Sequence, residues 1–169
     1  MASALQAAYA ARIAAGEIRS DPAQAEGLRA LIRLEGELAG QASASRLAGL
    51  FRKPEGRRGV YLWGPVGRGK SMLMDLFVEV VATNRKRRTH FHVFMGEIHR
   101  LIAEWRTGDA AARKARFGQH KGDDPIPPVA DAVARDALLL CFDEFQVTDI
   151  ADAMIMCGRF EALFARCVT

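Results

Sequence analysis

Cysteine is scarce in this chain, long apolar runs are missing, and no leader or internal repeat stands out. Cys141, Cys157 and Cys167 are odd in number and have no metal-site spacing, so the expectation is reduced thiols in a cytosolic protein. The longest apolar run beside an expected strand, Ala137 to Phe142, is far too short for a membrane span. Met1 to Ser20 is alanine-rich but broken by Arg12, Glu17 and Arg19, which is not a secretory signal. Glu17, Asp21 and Glu26 argue against a transit peptide, since those are poor in acids.

What remains is a chain of 169 residues, half of them hydrophobic, as in about one soluble domain. Its net charge of +4 is unevenly spread: residues 84–121 carry ten Lys or Arg against three acids. A patch of that kind suits phosphates, nucleic acid or acidic lipid, or is simply a solvated face.

Residues 3–19 and 23–39 read as helices, the second opened by Asp21-Pro22 and striped by Leu28, Leu31, Ile32 and Leu38. Ser45–Phe51 reads as a short helical piece, and Lys53 to Gly59 as a charged turn. Val60-Tyr61-Leu62-Trp63 reads as a buried strand, followed by a helix from Lys70 with Leu73, Leu76, Phe77, Val80 and Val81 on one face. Asn84 to Arg88 would end that helix. The alternation in Thr89–Phe94 suggests a second strand, with a helix from Gly96 to Trp105. Residues 107–128 read as loop and Val129–Arg135 as a short helix. Leu138–Phe142 reads as a strand buried on both faces, and Asp149–Arg166 as a last helix. Alternating strands and helices imply an α/β fold around a parallel sheet. His90, His92 and His99 are best read as structural, because three converging metal ligands are not evident.

Gly64-Pro65-Val66-Gly67-Arg68-Gly69-Lys70-Ser71 fits the phosphate-loop spacing G-x-x-x-x-G-K-[ST]. The glycines let the backbone curl so that successive N–H groups point inward. The helix that follows adds its N-terminal donors and positive dipole end. Lys70 is expected to reach the β- and γ-phosphates and the Ser71 hydroxyl to bind Mg²⁺. Downstream, the apolar strand ends at Asp143-Glu144, at the edge where parallel sheets bind ligands. Asp143 is expected to hold Mg²⁺ and Glu144 to polarise a water as general base. Nucleotide contacts are expected from Gly64, Pro65, Val66, Gly67, Arg68, Gly69, Lys70, Ser71 and Met72, and catalysis from Glu144 and Lys70.

Tyr61 to Phe77, His90 to Met95, Asp124 to Ala130 and Leu140 to Met154 together resemble the ZapE family of AAA+ ATPases, whose mitochondrial relatives are called AFG-like ATPases. Tyr9, Gly16, Asp21 and Gln24 also fit the family's opening. The resemblance implies a P-loop NTPase three-layer sandwich with a parallel sheet. Residues 1–58 would form an N-terminal helical segment and 59–169 a partial ATPase core. It implies ATP and Mg²⁺ as cofactors and a cytoplasmic bacterial protein, peripheral at the division site. FtsZ or other division-site proteins would be its partners, with a homo-oligomer in the full-length form and nucleic acid not expected.

The match loosens at Met156 to Arg159. The family's sensor-1 strand, arginine finger and helical lid do not lie in these 169 residues, and three strands stand where the family has five. The expectation is therefore a chain that binds nucleotide but hydrolyses it poorly, since an arginine finger is worth about 10³–10⁵ in rate. Two alternatives are a DNA-associated AAA+ loader, motivated by the basic segment, and a non-catalytic binding fragment.

Overall fold

The structure, a computed structural model, describes residues 3–44 and 58–145. Its described residues fall into two compact units, one holding residues 3–44 and 58–84, the other 85–145.

The first unit contains α1 (Ala4–Ala14), α2 (Pro22–Ala44) and α3 (Lys70–Val80). Ser3 caps α1 by accepting from the Gln6 N–H at 3.1 Å. The Glu35 carboxylate of α2 meets the same helix start, accepting from the Ala4 and Leu5 N–H groups at 3.0 and 3.3 Å. An acid there complements the positive end of the helix dipole.

The reading of 3–19 as one helix is too long. Gly16, at φ +73°, stops α1 by donating to the Ile13 carbonyl while Glu17 donates to Arg12. That paired pattern needs a left-handed residue, which glycine supplies without strain. Asp21 opens α2, its Oδ1 accepting from the Ala23 N–H at 2.9 Å. Leu31, Leu34 and Leu38 form the buried stripe of α2, with Gln24 one heptad before Leu31 as the single buried polar side chain among the described residues. Leu73, Leu76 and Phe77 bury the matching face of α3.

Val60–Trp63 is not a strand, contrary to expectation. The segment forms no strand among the described residues, and Tyr61 and Trp63 are 70% and 82% exposed. Four residues cannot hold a ladder without a neighbour. Leu62 instead packs on α2, where a Cβ on Gly27 would lie 3.0 Å from its Cδ2.

The second unit contains β1 (Lys86–His90), α4 (Phe91–Thr107), α5 (Ala110–Phe117), α6 (Ile126–Asp136) and β2 (Leu139–Asp143). The two strands pair in parallel, Lys86 opposite Leu139 and His90 opposite Asp143. The basic run thus lies on β1 rather than closing α3, which ends at Val80. The expected strand Thr89–Phe94 becomes helix at Phe91. The short alternation loses to a longer pattern: Phe91, Phe94, Met95, Ile98, Leu101, Ile102 and Trp105 make one continuous helical stripe. That stripe packs with Val129, Ala130, Ala132 and Val133 of α6 and with Leu140 of β2 in one core.

Helix α5 lies in the segment read as loop. Asp109 caps it by accepting from the Ala112 N–H at 2.8 Å, and Gly118 at φ +86° follows its last turn. Helix α6 starts three residues earlier than expected, with Pro127 and Pro128 in its first turn, where missing N–H groups cost nothing. The expected helices Ser45–Phe51 and Asp149–Arg166, and most of the turn before Gly59, lie outside the described residues. Among the described residues no helix is long and apolar enough to cross a membrane.

Cys141 is buried in β2, and desolvation pushes its thiol up to about 11. It is a structural thiol, inert at neutral pH.

The helical start at Phe91 can be tested against the strand reading. Phe91 and Phe94 are each 1% exposed, whereas Val93 between them is 50% exposed. Phe91→Ala and Phe94→Ala are each expected to cost about 3–5 kcal/mol in urea unfolding. Val93→Ala should stay within about 0.5 kcal/mol. A strand would pair Phe91 with Val93 instead and make Val93→Ala costly.

Candidate functional site

The loop from Gly64 to Gly69 runs directly into the first residue of α3, Lys70. Three of its residues have positive φ: Gly64 at +140°, Gly67 at +80° and Gly69 at +78°. Gly69 matters most, because it is the left-handed N-cap of α3 and also lies against α2. A Cβ at this position would sit 2.6 Å from the Gln24 Nε2. No side chain caps α3, so the helix presents its first N–H groups next to the glycine turn. The Lys70 ammonium folds back over the loop, donating to the carbonyls of Gly64 at 2.9 Å and Pro65 at 2.8 Å. Val66 stands almost fully exposed at the loop tip, Ser71 is exposed, and Met72 is half-buried.

The loop is held from the N-terminal helices by contacts that sequence reading did not assign. The Gln24 Nε2 donates to the Arg68 carbonyl at 3.0 Å, and the Tyr9 hydroxyl donates to the Gln24 Oε1 at 2.8 Å. The Arg68 guanidinium lies 3.3 Å from the Asp21 carboxylate. In the sequence, Tyr9 and Gln24 only fit a family's opening, and Asp21 also marks a helix start. A contact across forty-four positions leaves no trace in local spacing. The sequence hint was Asp21 and Gln24 at i and i+3, one face of a helix start.

Asp143 and Glu144 lie in the second unit, at the C-terminal end of β2. Asp143 accepts from the Arg88 Nη2 of β1 at 2.9 Å. Glu144 is exposed and is the one non-glycine residue with positive φ, +51°, among those described. Such conformations cost on the order of 1–3 kcal/mol and cluster at working sites.

Five of the ten cations in the basic stretch face acids of their own unit. Arg87 pairs with Glu97, Arg88 with Asp143, Arg100 with Glu104, and Arg113 with Asp123, while Arg116 also faces Glu104. A surface that binds nucleic acid through phosphates needs cations that are not already spent on acids. His90 and His92 stack at 5.7 Å, the first at the end of β1 and the second in the first turn of α4. They do not line one side of a strand.

A glycine turn feeding a helix start with a folded-back lysine marks the class of phosphate-loop proteins. The AFG1-like ATPase family model matches residues 3–169, and the chain belongs to that family. A zebrafish protein, lactation elevated protein 1 homolog B, is 49% identical over 112 residues, 66% of this chain and 22% of that protein. The cell division protein ZapE of Escherichia coli K12 is 45% identical over 112 residues, 66% of this chain and 26% of that protein. The matched stretch thus spans about a quarter of these curated relatives. No solved structure matches the chain at comparable significance.

Two glycines separate conformational need from habit. Gly69→Ala is expected to lower stability by about 1–2 kcal/mol from the left-handed backbone alone, with the Gln24 clash adding to it. Gly96 lies inside α4, exposed, with open space where a Cβ would go. Gly96→Ala should raise stability by about 0.5–1 kcal/mol. Thermal or urea unfolding of both variants checks the pair of signs.

Proposed function

We propose that this chain is the nucleotide-binding part of an ATP-hydrolysing enzyme of the AFG1-like family. The observation that carries the reading is the loop itself: three glycines at positive φ turning into the α3 N-terminus, with Lys70 folded over them. Backbone donors of Gly64 to Met72 would take the phosphates, Pro65 contributing shape alone because it has no N–H. Lys70 would exchange its two carbonyl partners for phosphate oxygens, which are stronger, charged acceptors.

Ser71 and Asp143 would each offer a hard oxygen donor, the kind Mg²⁺ prefers. When bound, the ion neutralises phosphate charge. Arg88 fixes the Asp143 carboxylate in direction through its hydrogen bond. Glu144, exposed beside it, would accept the proton of the attacking water as general base. The structure's mixed α/β elements and parallel strand pair suit the three-layer P-loop sandwich, which belongs to the same proposal.

The setting follows from the name of the bacterial relative, a cell division protein. We place the whole protein in the cytoplasm, at the division site, with FtsZ or other division proteins as partners and a homo-oligomer in the full-length form. Peripheral contact with the membrane belongs to the same reading. Cosedimentation with FtsZ polymers decides the partner; a chain left wholly in the supernatant removes it. The family match favours the ATPase reading over the DNA-associated one, and half of the cations in the basic segment face acids of their own unit.

Lys70→Ala should weaken MgATP binding about tenfold to a hundredfold, the worth of a lost charge-assisted contact. Glu144→Gln should keep that affinity and, in the whole protein, lower turnover by about 10²–10⁴. Binding by Lys70→Ala as tight as wild type would falsify the assignment of the loop.

A further inference from the structure

We infer that Gln24 is a positioning residue for the phosphate loop, oriented by Tyr9 and assisted by Asp21. The inference rests on the nucleotide reading of that loop.

Gln24 occupies a place in the α2 stripe where Leu31, Leu34 and Leu38 are apolar, and it is 9% exposed. A buried amide costs free energy unless its donors and acceptor are engaged. Here both ends are used, and the partners explain why an amide stands at this position. Tyr9 donates its hydroxyl proton to Oε1 at 2.8 Å, which sets the direction of the amide. The NH₂ end is therefore turned toward the loop, where it donates to the Arg68 carbonyl at 3.0 Å.

The consequence follows from peptide geometry. The bond between Arg68 and Gly69 is trans and planar, so its C=O and N–H point in opposite directions. Holding the Arg68 carbonyl against α2 turns the Gly69 N–H away from α2. That N–H belongs to the N-cap of α3, where a phosphate oxygen would be received. Asp21, three residues before Gln24 on the same helix turn, holds the Arg68 guanidinium at 3.3 Å. One helical turn thus grips one loop residue at both its main chain and its side chain. A glycine-rich loop has many conformations to lose on binding, and fixing one peptide beforehand removes part of that cost.

The grip also explains the Gly69 environment. Any side chain there would displace the Gln24 amide, whose Nε2 would lie 2.6 Å from the added Cβ. Glycine at 69 and glutamine at 24 therefore depend on each other.

The test compares dissociation constants for MgADP and MgATP in the 169-residue chain, measured well below each variant's melting temperature. Gln24→Glu keeps size and the acceptor for Tyr9 but turns a carboxylate oxygen toward the Arg68 carbonyl. It is expected to weaken both nucleotides about tenfold. Tyr9→Phe removes only the orienting hydroxyl and should weaken them about threefold. A purely structural role would lower the melting temperature and leave the dissociation constants of the folded variants at the wild-type value. That result overturns the inference. If Gln24→Glu does not fold, Tyr9→Phe decides alone, and wild-type affinity in it is the contrary outcome. Lys70→Ala, measured alongside, separates the two claims. Loss of binding in Lys70→Ala with wild-type affinity in both other variants sinks the positioning role but keeps the nucleotide site. Absence of binding in the wild-type chain sinks both.

Discussion

The hydrogen bond from the Gln24 amide to the Arg68 carbonyl joins a long amphipathic helix to a loop that cannot fix its own shape. A chain segment that curls around an anion uses its N–H groups for the ligand and leaves few to hold itself. Three positive-φ glycines make that curl sterically cheap and entropically expensive. The order must come from outside the loop, and here it comes from α1 and α2. The apolar stripe of α2 sets the helix in place, Gln24 reaches from that stripe, and Tyr9 of α1 aims the reach. On this view the N-terminal helices are part of the nucleotide site.

The second unit follows a different logic. Its core is a single stripe on α4 closed by α6 and β2, and β2 ends where the stripe's aromatic cluster begins. Phe142 packs against Phe91 and Phe94 with ring centroids 5.7 and 4.8 Å away. One residue later Asp143 leaves the core and meets Arg88, and Glu144 turns into a left-handed conformation. The apolar packing of Phe142 therefore fixes the level at which the two acids emerge. Burial delivers them to the end of the strand, and Arg88 fixes the first one in direction.

Much of this was legible in the sequence because the relevant signals are local and dense. The glycine spacing at 64–71 and the unbroken apolar run into Asp143 each occupy fewer than ten residues. Element ends were less legible. Thr89–Phe94 alternates like a strand, yet Phe91 and Phe94 belong to a longer helical stripe, and the longer pattern buries more surface. Helix α5 is rich in Arg and Ala with one buried residue, Phe117, so periodicity is silent there. Its Asp109 cap and Gly118 were the available signals. Val60–Trp63 has strand composition, but a strand is a pairing, and pairing is not a property of four residues. The Gln24–Arg68 contact was illegible for the same reason, being made in three dimensions.

On the nucleotide reading, the backbone of Gly67 to Ser71 is prepared to receive a phosphate chain. Titrating ¹⁵N-labelled chain with MgADP while following amide shifts and hydrogen exchange tests it most directly. The amides of Gly67, Gly69, Lys70 and Ser71 are expected to shift together and exchange more slowly as nucleotide is added. Nucleotide binding that leaves those amides unmoved and unprotected would contradict it.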